Sequence, residues 1–189
     1  MPWSGFVLAG GGSSRMGRDK ALLPYRGTTL VEHLARVVQE AAGAVALIGA
    51  PDHYRSLGYP VYPDKFPGCG PLGGIYTALS VSSTDWNLIV ACDMPGISAD
   101  VLRTLLGSAE QSGKSCVVAT GPTGDPEPLC AVYHRSCLPV LARAIEEKRF
   151  KMRDLVAQLD RTLKPVDASA LANVNTPAEW ADFEPKPTR

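Results

Sequence analysis

The chain has no long apolar run and no excess of charge of either sign. No window approaches about twenty consecutive apolar residues, which excludes a bilayer-spanning helix. The start has neither a basic segment nor an apolar stretch of leader length before the glycines begin, so no secretory leader is expected. Nineteen basic residues balance nineteen acidic ones, which leaves no global field to draw nucleic acid or an anionic membrane. Any anion site must be local. The five cysteines, Cys69, Cys92, Cys116, Cys130 and Cys137, are odd in number and lack the paired spacing of metal ligands. They read as reduced, mostly buried thiols of a cytoplasmic protein. Only three histidines occur, His33, His53 and His134, and none stands at ligand spacing from another. No serine sits in a GxSxG elbow, and the charged "EEKR" run at 146–149 reads as a solvated helix end.

What is present is ordinary for one packed domain. At 189 residues, 45% hydrophobic and 20% charged, the chain should bury roughly 70% of its unfolded surface around a single core. Short apolar runs alternate with segments of helical period. "GFVLA" (5–9), "AVALIGA" (44–50), "NLIVA" (87–91), "SCVVAT" (115–120) and "LCAVY" (129–133) read as strands. Helices are expected over 29–43, 72–82, 99–111, 138–148 and 152–159. The predicted fold is α/β: a three-layer, doubly wound, mostly parallel sheet. One domain spans 1–189, with "EPKPTR" (184–189) as a frayed tail. In such sheets ligands bind outside the carboxyl ends of the strands, which directs attention to the loops after "FVLA", "ALI" and "LIVA".

The first of these loops, "LAGGGSSRMGRDKALL", has the composition of an anion cradle. It fails as a dinucleotide fingerprint because Arg15 occupies the third glycine position. It fails as a Walker loop because Arg18 and Asp19 stand where Lys and Ser or Thr belong. What remains is a set of glycines that can turn N–H groups toward phosphate, with Arg15 and Lys20 to neutralise oxygens those donors do not reach. A nucleoside triphosphate fits that supply of charge. After the strand "LIVA", Asp93 is placed to ligate a hard cation such as magnesium, which takes one or two carboxylates together with phosphate oxygens and water.

The loop resembles the pattern LAGGxSxRMGxDKxxL of the molybdenum cofactor guanylyltransferases, the molybdopterin-guanine dinucleotide biosynthesis protein A family of the nucleotidyltransferase superfamily. "LIVACDMPGI" and "VYPDKFPGCGPLGG" resemble further segments of that family, "PEPLCAVYHRSCLPVL" its acceptor-side segment and "LANVNTPAEW" its closing NVNTP motif, so the likeness runs from about Phe6 to Trp180. It implies a Rossmann-like fold of the nucleotide-diphospho-sugar transferase type. The implied nucleotide site comprises Leu8, Ala9, Gly10, Gly11, Gly12, Arg15, Lys20, Gly49, Asp64 and Asp93. Asp93 would hold Mg2+, while Asn173 and Asn175 would contact the acceptor. Gly49 is a departure, since many relatives carry a polar side chain there.

The implied reaction moves GMP from GTP to the terminal phosphate of molybdopterin or its molybdenum-bound form and releases pyrophosphate, with Arg15, Lys20 and Asp93 as catalytic groups. The acceptor phosphate has no proton to lose, so catalysis rests on positioning and charge neutralisation. Other proteins of molybdenum cofactor biosynthesis and molybdoenzyme chaperones are implied partners. Two alternatives stay open: a cytidylyltransferase using CTP, whose loop typically reads LAAG, and a nucleotide-binding regulator without turnover. A sugar-phosphate nucleotidyltransferase shares the opening logic but usually has a longer chain.

Overall fold

The computed structural model describes residues 3–10 and 19–174. Along them run β1 (Trp3–Leu8), a 3-10 turn (Lys20–Leu22), β2 (Pro24–Tyr25), β3 (Thr28–Thr29), α1 (Leu30–Ala42), β4 (Val45–Ile48) and α2 (Pro51–Tyr54). β5 (Val61–Tyr62), α3 (Pro71–Val81), β6 (Trp86–Ala91), α4 (Ala99–Ser112), β7 (Cys116–Thr120) and β8 (Pro126–His134) follow. The described chain closes with α5 (Leu138–Glu146), α6 (Met152–Val156), β9 (Arg161–Pro165) and a 3-10 turn (Ala168–Leu171). Gly11, Gly12, Arg15, Asn175 and the predicted tail lie outside the described residues.

Seven strands form one sheet in the order β5-β4-β1-β6-β8-β7-β9. All neighbours are parallel except β8, which runs antiparallel to both β6 and β7. The reason is local. Only residues 121–125 separate β7 from β8, too few for a crossover, so the chain must return as a hairpin.

Period-two alternation divides the sheet between two cores. Val7, Leu88, Val90 and Val117 pack with Leu34 and Val38 of α1 and Leu102 and Leu105 of α4. Phe6, Ile89 and Val118 face Leu72, Ile75 and Leu79 of α3 and Leu141 of α5 on the other side. This is the three-layer architecture expected, with each fully buried strand hidden on both faces.

The helix starts are written in sequence. Thr29 and Glu32 form a reciprocal capping box at α1, and Gly43 ends that helix at φ 82. Two orphan N–H groups are thereby satisfied, and glycine carries the left-handed exit at no steric cost. At α3, Gly70 (φ 60) turns the chain into Pro71, the first helical residue, a position where the missing N–H of proline costs nothing.

Candidate active site

The strand order reverses between β1 and β6: the chain moves outward from β1 to β4 and β5, then crosses to β6 on the other side. A crevice opens at the carboxyl ends on either side of such a switch point. Leu8 pairs with Ala91 across these strands, and the Cys92 N–H donates to the Leu8 carbonyl at 3.1 Å. Ala9 and Gly10 and the Asp93 turn therefore leave the sheet side by side.

Lys20 and Asp93 meet over this crevice. Lys20 Nζ lies 3.6 Å from Asp93 Oδ2. Lys20 opens a 3-10 turn whose cap is Asp19, Oδ1 accepting from the Ala21 N–H at 3.1 Å. The second Asp19 oxygen accepts from the Tyr54 hydroxyl at 2.7 Å and lies 3.2 Å from His53 Nδ1. The same hydroxyl is 2.7 Å from the Ala9 carbonyl. Burial first, and the Asp19 carboxylate second, push the Tyr54 phenol far above its ordinary range, so it stays a neutral donor.

Asp93 Oδ1 is buried and has no hydrogen-bond partner among the described residues. A buried carboxylate oxygen without a donor is costly unless something else satisfies it, and a hard cation does so. Among the described residues no three His, Cys, Asp or Glu side chains cluster as a metal cage. A cation held by Asp93 would need further ligands such as phosphate oxygens and water, which is the habit of magnesium. Burial and the Asp93 charge push the neighbouring Cys92 thiol up to about 12, so it adds no second anion near neutral pH.

The remaining predicted residues divide into two groups. Gly10 and Gly49 approach backbone to backbone, both Ala9 and Gly10 donating N–H groups to the Ile48 carbonyl. Together with Asp64, Gly70 and Pro71 they line a cavity of about 700 Å³, within the size range of small-molecule sites. Leu8 and Ala9 are buried and shape the floor of the crevice through their backbone. Asp64 also has structural work: Oδ1 accepts from the Phe66 N–H at 2.9 Å and lies 3.3 Å from Thr77 Oγ1.

Asn173 is exposed, while the next residue, Val174, is buried and donates its N–H to the Asp93 carbonyl at 2.9 Å. The segment predicted to meet the acceptor is thus tied directly to the Asp93 turn. That turn is braced from behind as well. The Tyr25 hydroxyl donates to the Pro95 carbonyl at 3.3 Å, and no room exists for a Cβ on Gly96 against the Ser169 carbonyl.

Sequence reasoning did not single out Tyr54 or assign a role to Asp19. Nothing in "APDHYRSL" marks a tyrosine whose hydroxyl reaches back to the first loop. The signal was indirect. At Gly49 a Cβ would stand 2.7 Å from the Tyr54 ring, so this glycine makes way for that side chain.

A crevice at the switch point, one cation facing one carboxylate, and a glycine-walled cavity beside them define a nucleotide-binding α/β transferase site. The comparisons with known proteins specify the class further. The MobA-like NTP transferase domain matches residues 5–162, and the chain belongs to that family of nucleotidyltransferases. It is 36% identical, over 94% of both chains, to a probable molybdenum cofactor guanylyltransferase of Flavobacterium johnsoniae. A protein of the same description from Carboxydothermus hydrogenoformans is 37% identical, with 92% of this chain and 91% of that one covered. Among solved structures, molybdopterin-guanine dinucleotide biosynthesis protein A of Archaeoglobus fulgidus superposes with a TM-score of 0.82 at 25% identity, covering 96% of each chain.

Proposed function

We propose that the chain transfers GMP from GTP to the terminal phosphate of molybdopterin and releases pyrophosphate. The observation that carries the reading is the Lys20–Asp93 pair at 3.6 Å, with Asp93 Oδ1 buried and lacking a donor beside it. The names of the relatives supply the acceptor and the base, and the geometry suits both.

The cavity lined by Gly10, Gly49 and Asp64 would take the nucleoside. A carboxylate such as Asp64 accepts from adjacent N–H groups, which guanine offers on its pyrimidine edge. Lys20 would bear on the α-phosphate, where negative charge develops as the leaving oxygen departs. Arg15 and the N–H groups of Gly11 and Gly12 would hold the outer phosphates. Asp93 would hold magnesium, which neutralises phosphate charge when bound. Asn173 and Asn175 would orient the acceptor.

The acceptor phosphate attacks in line and needs no general base, since it is already ionised near neutral pH. Catalysis then comes from charges fixed before the reaction, which need not reorganise as it proceeds.

The test is incubation with GTP, magnesium and molybdopterin, followed by mass measurement of the product, with CTP run in parallel. A product heavier by one GMP, formed in preference to the CMP adduct, is the expected result. Preference for CTP would make the chain a cytidylyltransferase, and no adduct from either would overturn the transfer reading.

A further inference from the structure

Strand β8 is irregular where it reaches the site. Val118 of β7 pairs with Ala131, but its neighbour Ala119 pairs with Glu127, so residues 128–130 bulge out of that ladder. Pro128 has no N–H to give the ladder, and the buried Tyr133 hydroxyl donates to the Pro128 carbonyl at 2.8 Å. Such bulges re-aim side chains. This one brings Glu127, Pro128 and Leu129 to a cavity of about 370 Å³ that Pro71, Met152, Lys151 and Arg153 also line. Pro71 belongs to the larger nucleotide cavity too; the two hollows share a wall at the start of α3.

Glu127 is half-buried and receives the Leu129 N–H on Oε1 at 3.2 Å, which holds the carboxylate in place. It has no ion-pair partner among the described residues. Burial, with the Asp93 charge as a lesser cause, raises its carboxyl above the ordinary range, against the pull of the Leu129 N–H and Arg153. A group in that state gains from any ligand that brings N–H donors to it.

The surroundings select the ligand. Proline, leucine and methionine offer apolar surface to the faces of a flat ring, and Lys151 and Arg153 offer cations to an anionic substituent, with the Asp154 carboxylate on the same rim. A carboxylate has two oxygens that accept two parallel N–H bonds. A pterin presents that pair of donors on its aminopyrimidinone edge, through the ring N–H and the exocyclic amine. We propose that Glu127, carried by the β8 bulge, is the residue that reads the pterin edge of the acceptor. The inference rests on the acceptor reading given above.

The experiment compares binding of two fluorescent probes, pterin and lumazine, to the full chain and to Glu127→Gln. Lumazine carries an oxygen where pterin has the amine, which turns a donor into an acceptor facing the carboxylate. The expected result is a preference for pterin of about 10- to 100-fold, the scale of one bidentate contact, lost in Glu127→Gln with no change in melting temperature. Equal affinity for the two probes in the wild-type chain, or no pterin binding at millimolar concentration, would overturn the proposal without recourse to any variant. A Glu127→Gln protein that keeps the preference but needs more magnesium for turnover would reassign Glu127 to the metal and overturn it as well. GMP transfer is measured separately. Pterin preference without transfer would leave Glu127 standing and remove the guanylyl reading, whereas transfer without the preference would remove Glu127 alone.

Discussion

The Tyr54 hydroxyl stands 2.7 Å from both Asp19 Oδ2 and the Ala9 carbonyl, and so joins the two ends of the glycine loop to α2. One hydroxyl proton serves two acceptors, and the residue that precedes Lys20 is fixed by it. Tyr54→Phe is expected to cost about 1 kcal/mol of stability, the net worth of a typical hydrogen bond, and to lower kcat more than it raises KM. Thermal melting and steady-state kinetics on the same preparation check both. A variant with unchanged kcat would show that Asp19 holds Lys20 without help.

Gly49→Ala places a methyl group 2.7 Å from the Tyr54 ring. Overpacking of this kind costs about 1–3 kcal/mol. The penalty should vanish when Tyr54 is Ala, so that the two substitutions combine non-additively in a double-mutant cycle. Additive losses would place the cost elsewhere than this contact.

Lys20→Ala and Asp93→Asn should each lower the rate of GMP transfer by about 10²–10³, the loss seen when one preorganised charge-stabilising group is removed. Both side chains are partly exposed, and the fold does not depend on them. Circular dichroism should therefore match the wild type. Turnover near wild type in either variant would remove that residue from the mechanism.

Gly73 is where α3 passes closest to the Asp64 loop. A Cβ there would lie 2.6 Å from the Phe66 carbonyl and 2.8 Å from Asp64 Oδ1. Gly73→Ala should push the loop outward and raise the KM for nucleotide, while kcat at saturation changes little. An unchanged KM would separate Asp64 from the nucleotide.

Acid should lower the stability of the fold through His33. Burial, then the Arg26 charge, lowers the pKa of His33 below its ordinary 6.5, although a backbone hydrogen bond with Pro95 pulls the other way. A lowered folded-state value means that the unfolded chain binds the proton more readily. This contribution to stability is complete above pH 6.5, declines as the pH falls through that value, and is gone once the pH lies below the folded-state value. His33→Gln should flatten this part of the stability profile in denaturant titrations from pH 7.5 to pH 5. A variant profile parallel to the wild type would assign the slope to other groups.

The sheet's centre was legible because its strands are long, apolar and bounded by turn residues. "FVLA" and "LIVA" carry that signal, as does the capped helix after Thr29. The edges were not. Arg161–Pro165 reads "RTLKP" and alternates between half-buried and exposed positions, which is what an edge strand allows and what apolar pattern-reading passes over. Val61–Tyr62 and the hairpin of Pro24–Tyr25 with Thr28–Thr29 have two residues per strand, too few for any period to show. The last two helices were read too long at their ends, α5 stopping at Glu146 and α6 at Val156.

At the candidate site, Lys20 and Asp93 were singled out in loops that follow buried strands, and the structure brings the two side chains to 3.6 Å. Glu127 was not. Its segment "PEPLCAVY" reads as a strand and resembles the acceptor side of the family, but only the bulge, which depends on pairing with β7, turns this one side chain toward a cavity.

The hydrogen bond from Val174 to the Asp93 carbonyl also sets an order in time. During synthesis at roughly 5–20 residues per second, Val174 follows Asp93 by roughly 4–16 s. Through that interval β1, β6 and the Asp93 turn can all exist without the partner that pins the turn. A nascent or prematurely released chain can therefore hold a formed sheet beside an unpinned Asp93 turn, and that turn is complete only once Val174 has been made.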